Sequence, residues 1–248
     1  MISDTSPEIA RLALRMRREQ TVDERLNCGL DFSVFGLGLE SGALRNRYPD
    51  ATWEQLRPLL GWKRYRDVIP AGVSWPNGPI AMRVMPPVAV LQALDSMGIV
   101  YAIGGGMAIG AHGEARLVND VDVLARIDKA DWRAAFGDGF CELSDGSMLA
   151  MDEVIKVDFV PKDEECFGDS RLERRVWIRP RILDGRALPV WSAEDALLST
   201  MRWPKGEYWR DMLGIVDVQE SRLDWRYLED WAPRLGVADL LAKLPRYS

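Results

Sequence analysis

An α/β (α+β) core with helical regions on either side is the fold class this sequence predicts, and three observations predict it. An apolar stretch from Ile99 to Ile103 runs straight into Gly104-Gly105-Gly106. Two further strand-like stretches follow, Val121 to Leu124 and Val154 to Val160, with a helical segment at Trp132 to Phe136 between them. The texture is helical up to about residue 68 and again from Ser192. Strand, turn, helix and strand in this order build an α/β sheet. At 248 residues, 47% of them hydrophobic and 28% charged, the chain can bury a continuous core without disulfides or a structural metal.

Residues 1–69 read as a helical module. Ser6 is an N-cap followed by Pro7 at the first helical position, and a Leu/Met/Arg-rich run continues from there. Gly36, Gly38 and Gly42 argue against one continuous helix in the middle of this module, because glycine costs helix stability. Thr52-Trp53-Glu54-Gln55 fits a capping box, after which Trp53, Leu56, Leu59 and Leu60 are spaced for one buried face. Residues 70–87 are dense in Pro and Gly and read as a linker. A core of residues 88–190 opens with a short helix carrying Val88, Leu91, Leu94 and Met97 at a spacing of three. A C-terminal helical region spans 191–248. There Ser192-Ala193-Glu194-Asp195 reads as a capping box, Leu197, Leu198 and Met201 share a face, and Trp225, Leu228, Trp231 and Leu235 pack in a terminal helix interrupted at Pro233.

Composition narrows the function classes. Cys28, Cys141 and Cys166 form no CxxC pair and read as reduced thiols. No signal peptide or membrane-length apolar run is visible, so a cytoplasmic protein with no membrane partner is expected. A net charge of −6 argues against a surface that binds nucleic acid everywhere. Most of the ten tryptophans are expected in the core.

The chemistry-bearing segment runs from Ile103 to Leu124. Glycines after a buried strand let the backbone turn sharply and bring N–H groups to a ligand, and a helix starting there adds the positive end of its dipole. Glycine triplets also end strands for structural reasons alone. Asp120 and Asp122 are two apart on an apolar strand, so both carboxylates share one face while Val121 and Val123 point into the core. Two such acids either face water at a strand end or hold a hard cation, Mg²⁺ or Mn²⁺, between them. In Val154 to Val160, Ile155, Val157 and Phe159 alternate with Lys156 and Asp158. Asp158 thus adds a third acid on another strand, completing a set able to hold two divalent ions and to drive attack of a hydroxyl on the α-phosphate of a nucleoside triphosphate such as ATP.

This segment resembles the polymerase-β nucleotidyltransferase superfamily, whose pattern is a glycine pair, a helix, an Asp-x-Asp strand and a later lone Asp. More narrowly, Gly105 through His112-Gly113 and Arg116 to Asp120-Val121-Asp122 resembles the AbiEii-like toxins of type IV toxin–antitoxin systems, as does Pro189 to Val218 with Ser192-Ala193-Glu194-Asp195, Arg210-Asp211 and Asp217. The resemblance covers roughly residues 88 to 220. It implies a mixed sheet flanked by helices, with Asp120, Asp122 and Asp158 as catalytic and metal-binding residues. It also implies Gly105, Gly106 and Met107 at the phosphate turn, transfer to an RNA end, tRNA included, or to a protein, and a cognate antitoxin as partner. The chain departs from the pattern at Met107, where Ser is common, at Val118-Asn119, where Thr-Lys is common, and at Thr200, where a Lys is usual, with Arg202 or Lys205 as substitutes. These departures motivate an alternative, a decayed scaffold that binds or regulates. Ser6-Pro7-Glu8, Glu24-Arg25-Leu26 and Arg45 to Asp50 resemble a small helical bacterial protein associated with such enzymes, which implies a fusion.

Arg116 is read as a phosphate contact because it precedes the acids. His112, the only histidine, is read as a packing or capping residue. Arg171, Arg174, Arg175, Arg179, Arg181 and Arg186 either line a groove for a phosphate backbone or form a salt-bridged face, the latter favoured.

Overall fold

Alternating apolar positions and the glycine turn produce a single mixed sheet in the computed structural model, which describes residues 6–75, 88–125, 139–152, 154–160, 167–183, 185–203 and 208–247. Its seven strands among the described residues are β1 (Tyr101–Ile103), β2 (Asp120–Ala125), β3 (Phe140–Glu142), β4 (Met148–Ala150), β5 (Ile155–Val160), β6 (Val176–Ile178) and β7 (Leu188–Val190). They lie in the order β3-β4-β5-β2-β1-β7-β6. β2 runs parallel to β5 and β1 parallel to β7, while the other neighbours are antiparallel. The expected α/β architecture with helices around a mixed sheet is therefore what the chain adopts. The strand expected from Ile99 begins at Tyr101 instead, because Val100 is 38% exposed and contributes nothing to the core. The helix expected at Trp132 to Phe136 lies outside the described residues.

The N-terminal helices are α1 (Pro7–Glu19), α2 (Val22–Arg47) and α3 (Trp53–Tyr65). Ser6 caps α1 through Ile9 N–H, and both Thr21 and Thr52 form complete capping boxes, with Glu24 and Gln55. Contrary to the expectation from its glycines, α2 is one helix of 26 residues. Gly29, Ser33 and Gly36 lie at i, i+4 and i+7, and the chain at Arg116 to Val118 runs against this face. A Cβ on Gly29 would sit 3.1 Å from the Arg116 carbonyl oxygen, and one on Gly36 would sit 2.9 Å from a Leu117 methyl. Close approach of another segment thus offsets the propensity cost of these glycines. On α3, Leu56 and Leu60 are buried as expected, but Leu59 is 38% exposed, since it points away from that face.

Helices α4 (Val88–Ser96), α5 (Gly105–His112), α6 (Phe167–Glu173), α7 (Ala193–Arg202), α8 (Tyr208–Gln219), α9 (Trp225–Trp231) and α10 (Ala238–Leu241) complete the described set. On α4, Leu91 and Leu94 are buried with Val90, while Met97 falls after the helix and is 40% exposed. α7 is buried along nearly its whole length, acids included, so it is a central helix rather than an amphipathic surface one. Its N-cap is half the expected box. Ser192 accepts from Asp195 N–H, but the Asp195 carboxylate accepts the Ser192 and Tyr227 hydroxyls instead of the Ser192 N–H.

The buried residues of α2 and α3 sit in clusters shared with the sheet. Leu26 and Leu30 join the main core, and Leu37, Leu60, Tyr65 and Ile69 pack with Leu143, Leu149 and Val154 beside β3, β4 and β5. Val73 and Trp75, within the stretch read as a linker, pack against this second cluster, with the Trp75 ring over Gly61. Among the described residues, no helix is long and apolar enough to cross a membrane.

Candidate functional site

The turn after β1 is built around its glycines. Gly104 N–H donates to the Asp122 carbonyl at 2.8 Å, which ties the turn to β2. The Trp191 ring lies on Gly104 so closely that a Cβ there would meet a ring carbon at 2.2 Å. Gly105 opens α5 with φ of +51°, in the left-handed region, and a Cβ there would fall 1.6 Å from Asp122 Oδ2. The turn therefore requires glycine both for its backbone conformation and for the approach of the Asp122 carboxylate. A Cβ on Gly106 would meet nothing closer than 3.7 Å.

The acids follow from sheet register. Val121 and Val123 are buried at 1% and 0% exposure, and the alternate positions Asp120 and Asp122 stand on the other face. Across the parallel β2–β5 pair, Asp122 registers with Asp158 and Asp120 with Lys156. Neighbouring parallel strands are about 4.8 Å apart, so Asp122 and Asp158 are direct neighbours on one face. Asp120, Asp122 and Asp158 line one cavity of about 530 Å³, together with Gly105, Gly106 and Arg116. Met107 is not brought to it. As the third residue of α5 it is 1% exposed and belongs to the core. Arg202 is also outside the lining, with its guanidinium 5.4 Å from the Trp203 ring, and Lys205 lies outside the described residues. Of the departures from the resembled pattern, Val118, Asn119 and Thr200 line the cavity, and the Thr200 hydroxyl donates to the Ala196 carbonyl at 2.8 Å.

Lys156 engages the third acid. Its Nζ lies 2.9 Å from Asp158 Oδ1 and 3.0 Å from Asp145 Oδ2. Burial raises the pKa of Asp158; Lys156 opposes that rise, while Asp120 and Asp145 reinforce it. Burial lowers the pKa of Lys156, but its bonds to Asp158 and Asp145 outweigh this and hold the pKa above the usual value. Among the described residues, no group of three His, Cys, Asp or Glu side chains is arranged to hold a metal ion. The donor chemistry nevertheless suits a hard divalent cation held by fewer protein ligands. Among the described residues, four carboxylates, Asp120, Asp122, Asp158 and Asp211, and the guanidinium of Arg116 line the cavity, and Mg²⁺ is commonly held by one or two carboxylates plus substrate phosphates. These described carboxylates would repel a polyphosphate unless cations accompanied it.

Three groups of functional interest were missed by sequence reasoning. Asp211 pairs with Arg116 at 2.6 Å on the cavity wall, and its only sequence signal was its place in the resemblance. Tyr65 of α3 donates its hydroxyl to the Asn119 carbonyl at 2.8 Å and accepts from Lys156 N–H at 3.3 Å. It joins the starts of the two acid-bearing strands, and no local pattern marks a contact so distant in the chain. The third group is the set of lining residues Trp191, Ser199, Thr200, Trp203 and Tyr208, of which only Thr200 was marked in the sequence, as a departure from the resembled pattern.

His112 is a packing residue, as expected. It is 3% exposed, and its Nε2 donates to the Trp191 carbonyl at 2.7 Å. Most of the arginine run is engaged in structural pairs. Arg171 is buried beside the rings of Phe167 and Trp191, Arg174 pairs with Glu194 and Asp224, Arg181 with Asp31, and Arg186 with Asp95. The acids that pair with Arg174, Arg181 and Arg186 come from distant elements.

No protein-family model and no curated protein matches the chain. Among solved structures, an antigenic nucleotidyltransferase-like protein from Paracoccidioides brasiliensis aligns over 64% of this chain and 92% of its own, at 18% identity and a TM-score of 0.41.

Proposed function

We propose that this chain is a metal-dependent nucleotidyltransferase that moves a nucleoside monophosphate from a nucleoside triphosphate to a hydroxyl acceptor. One observation carries the reading: Asp120, Asp122 and Asp158, from two parallel strands, line a single cavity with Gly105 and Gly106 of the turn that opens α5. Asp120 and Asp122 would hold Mg²⁺ or Mn²⁺, with Asp158 beside them. When bound, such an ion neutralises phosphate charge and acidifies the acceptor hydroxyl. Gly105 and Gly106 offer backbone N–H groups at the positive end of α5, and Arg116 adds a guanidinium on the lining. Asp158, whose proton affinity burial raises, takes the acceptor proton. The acceptor oxygen then bonds to the α-phosphorus while the bond to the β-phosphate oxygen breaks and pyrophosphate leaves. The resemblance to AbiEii-like toxins supports an RNA end, a tRNA 3′ end included, or a protein side chain as acceptor, and an antitoxin as partner.

A second reading, a decayed scaffold that binds a ligand without transfer, is favoured by Thr200 at the position of the usual Lys and by the ion pair that occupies Asp158. Thermal unfolding with Mg²⁺ and each nucleoside triphosphate, alongside transfer of labelled nucleotide to total RNA or to the protein itself, separates the two. The enzyme reading expects a rise in Tm of roughly 5–10 °C at a hundredfold excess over Kd, lost in Asp122→Asn, together with label transfer. A shift without transfer supports the scaffold, and neither shift nor transfer overturns the nucleotidyltransferase.

A further inference from the structure

Beside Gly105, Gly106 and the acids, the cavity is lined by Trp191, Ser199, Trp203 and Tyr208. Two polar atoms of these residues have no hydrogen-bond partner although they are buried, the Ser199 hydroxyl and the Trp191 indole N–H. Ser199 is 6% exposed and Trp191 3%. A buried polar group without a partner costs stability, and a helical serine has an easy remedy in the carbonyl four residues back. Its neighbour Thr200 takes that remedy with Ala196, whereas Ser199 does not. A donor-only indole N–H and a hydroxyl that both donates and accepts, on one lining, suit the edge of a ring carrying carbonyl or ring-nitrogen acceptors. Trp203, 38% exposed on the same lining, offers an aromatic face for stacking.

We propose that Trp191, Ser199, Trp203 and Tyr208 form a nucleobase subsite that receives the base of the donor triphosphate, Ser199 and Trp191 bonding its edge and Trp203 its face. This rests on the nucleotidyltransferase reading, which puts the phosphates at the glycine turn. A base is also carried by an RNA acceptor, so the two sources need separate arms.

The test measures Mg²⁺-dependent binding of inorganic tripolyphosphate, the four nucleoside triphosphates and a short single-stranded oligoribonucleotide to the native chain and to Ser199→Ala, Trp203→Ala and Trp203→Phe. The subsite predicts triphosphates binding at least about tenfold more tightly than tripolyphosphate, with about that factor lost in Trp203→Ala and largely restored in Trp203→Phe. Ser199→Ala should weaken triphosphate binding while raising the Tm of the ligand-free protein, because it removes an unsatisfied buried hydroxyl. A purely structural role for Ser199 would not separate these two readouts. Equal affinity for tripolyphosphate and triphosphates, or variants that weaken the oligoribonucleotide alone, overturns the subsite while leaving the phosphate side intact. Failure of tripolyphosphate and triphosphates alike removes the underlying reading instead.

Discussion

At the residue scale, two adjacent glycines that look equivalent in sequence have different physical duties. Gly105 is required by its left-handed backbone and by the Asp122 carboxylate that occupies the place of a Cβ. Gly106 has no such crowding, so its lack of a side chain serves whatever approaches the turn from the cavity. Gly105→Ala is expected to destabilise the protein by at least about 1–2 kcal/mol from backbone strain alone and to displace the Asp122 carboxylate. Gly106→Ala should leave stability nearly unchanged while weakening Mg²⁺-dependent triphosphate binding. Chemical denaturation paired with ligand-induced Tm shifts checks both, and equal stability losses in the two variants would refute this division. Alternation alone placed Asp120, Asp122 and Asp158 on exposed faces. Alternation also put Lys156 on the same face as Asp158, but did not show that its ammonium contacts the Asp158 carboxylate directly.

Elements, rather than single residues, decide how the acids are held. The N-terminal helices grip the segment leading into β2 at several points. Arg17 pairs with Glu114 at 2.5 Å, Ser33 accepts from Val118 N–H at 2.9 Å, and Arg25 donates to the Ala111 carbonyl at 2.8 Å. Tyr65 extends this grip to β5, and burial raises the pKa of its hydroxyl, so it remains a neutral donor. Tyr65→Phe takes this partner from the Asn119 carbonyl and the Lys156 N–H, at a cost of about 1 kcal/mol. Faster amide hydrogen exchange is expected at Lys156 and its β2 neighbours, along with a lower transfer rate at unchanged fold. Unaltered exchange at these amides would show that the strands keep their register without Tyr65.

Across the whole molecule, His112 links three parts of the chain and makes stability depend on pH. Its ring donates to the Trp191 carbonyl, its own carbonyl accepts from Gln219 at 2.6 Å, and it closes α5. Burial depresses its pKa from 6.5 to about 4; Arg25 and Arg222 add to the effect, and the Trp191 carbonyl and Glu194 oppose it. The unfolded chain therefore takes up a proton that the native state refuses. The contribution is complete above pH 6.5 and falls away as pH drops towards 4, by about 3 kcal/mol at most. Asp195, whose pKa burial raises, changes stability in the opposite sense, so the comparison must be with His112→Gln over the same pH range. The native chain should lose more stability than the variant between pH 6.5 and 4.5. Parallel curves would rule out His112 as the source.

The sequence by itself determined the α/β class, the positions of the acid-bearing strands, the glycine turn and the caps at Ser6 and Thr52, because each depends on spacing within a few residues. Periodicity of two places a carboxylate on a face, and a glycine run after an apolar strand marks a sharp turn. Only the tertiary structure decided that α2 passes unbroken through its glycines, that Met107 turns into the core and that Tyr65 ties β2 to β5. It also decided that the cavity lining carries Ser199 and Trp191 with unmatched donors. Each of these depends on a partner tens of residues away, and such contacts are selected by packing and hydrogen-bond satisfaction across the folded chain, which no local pattern encodes.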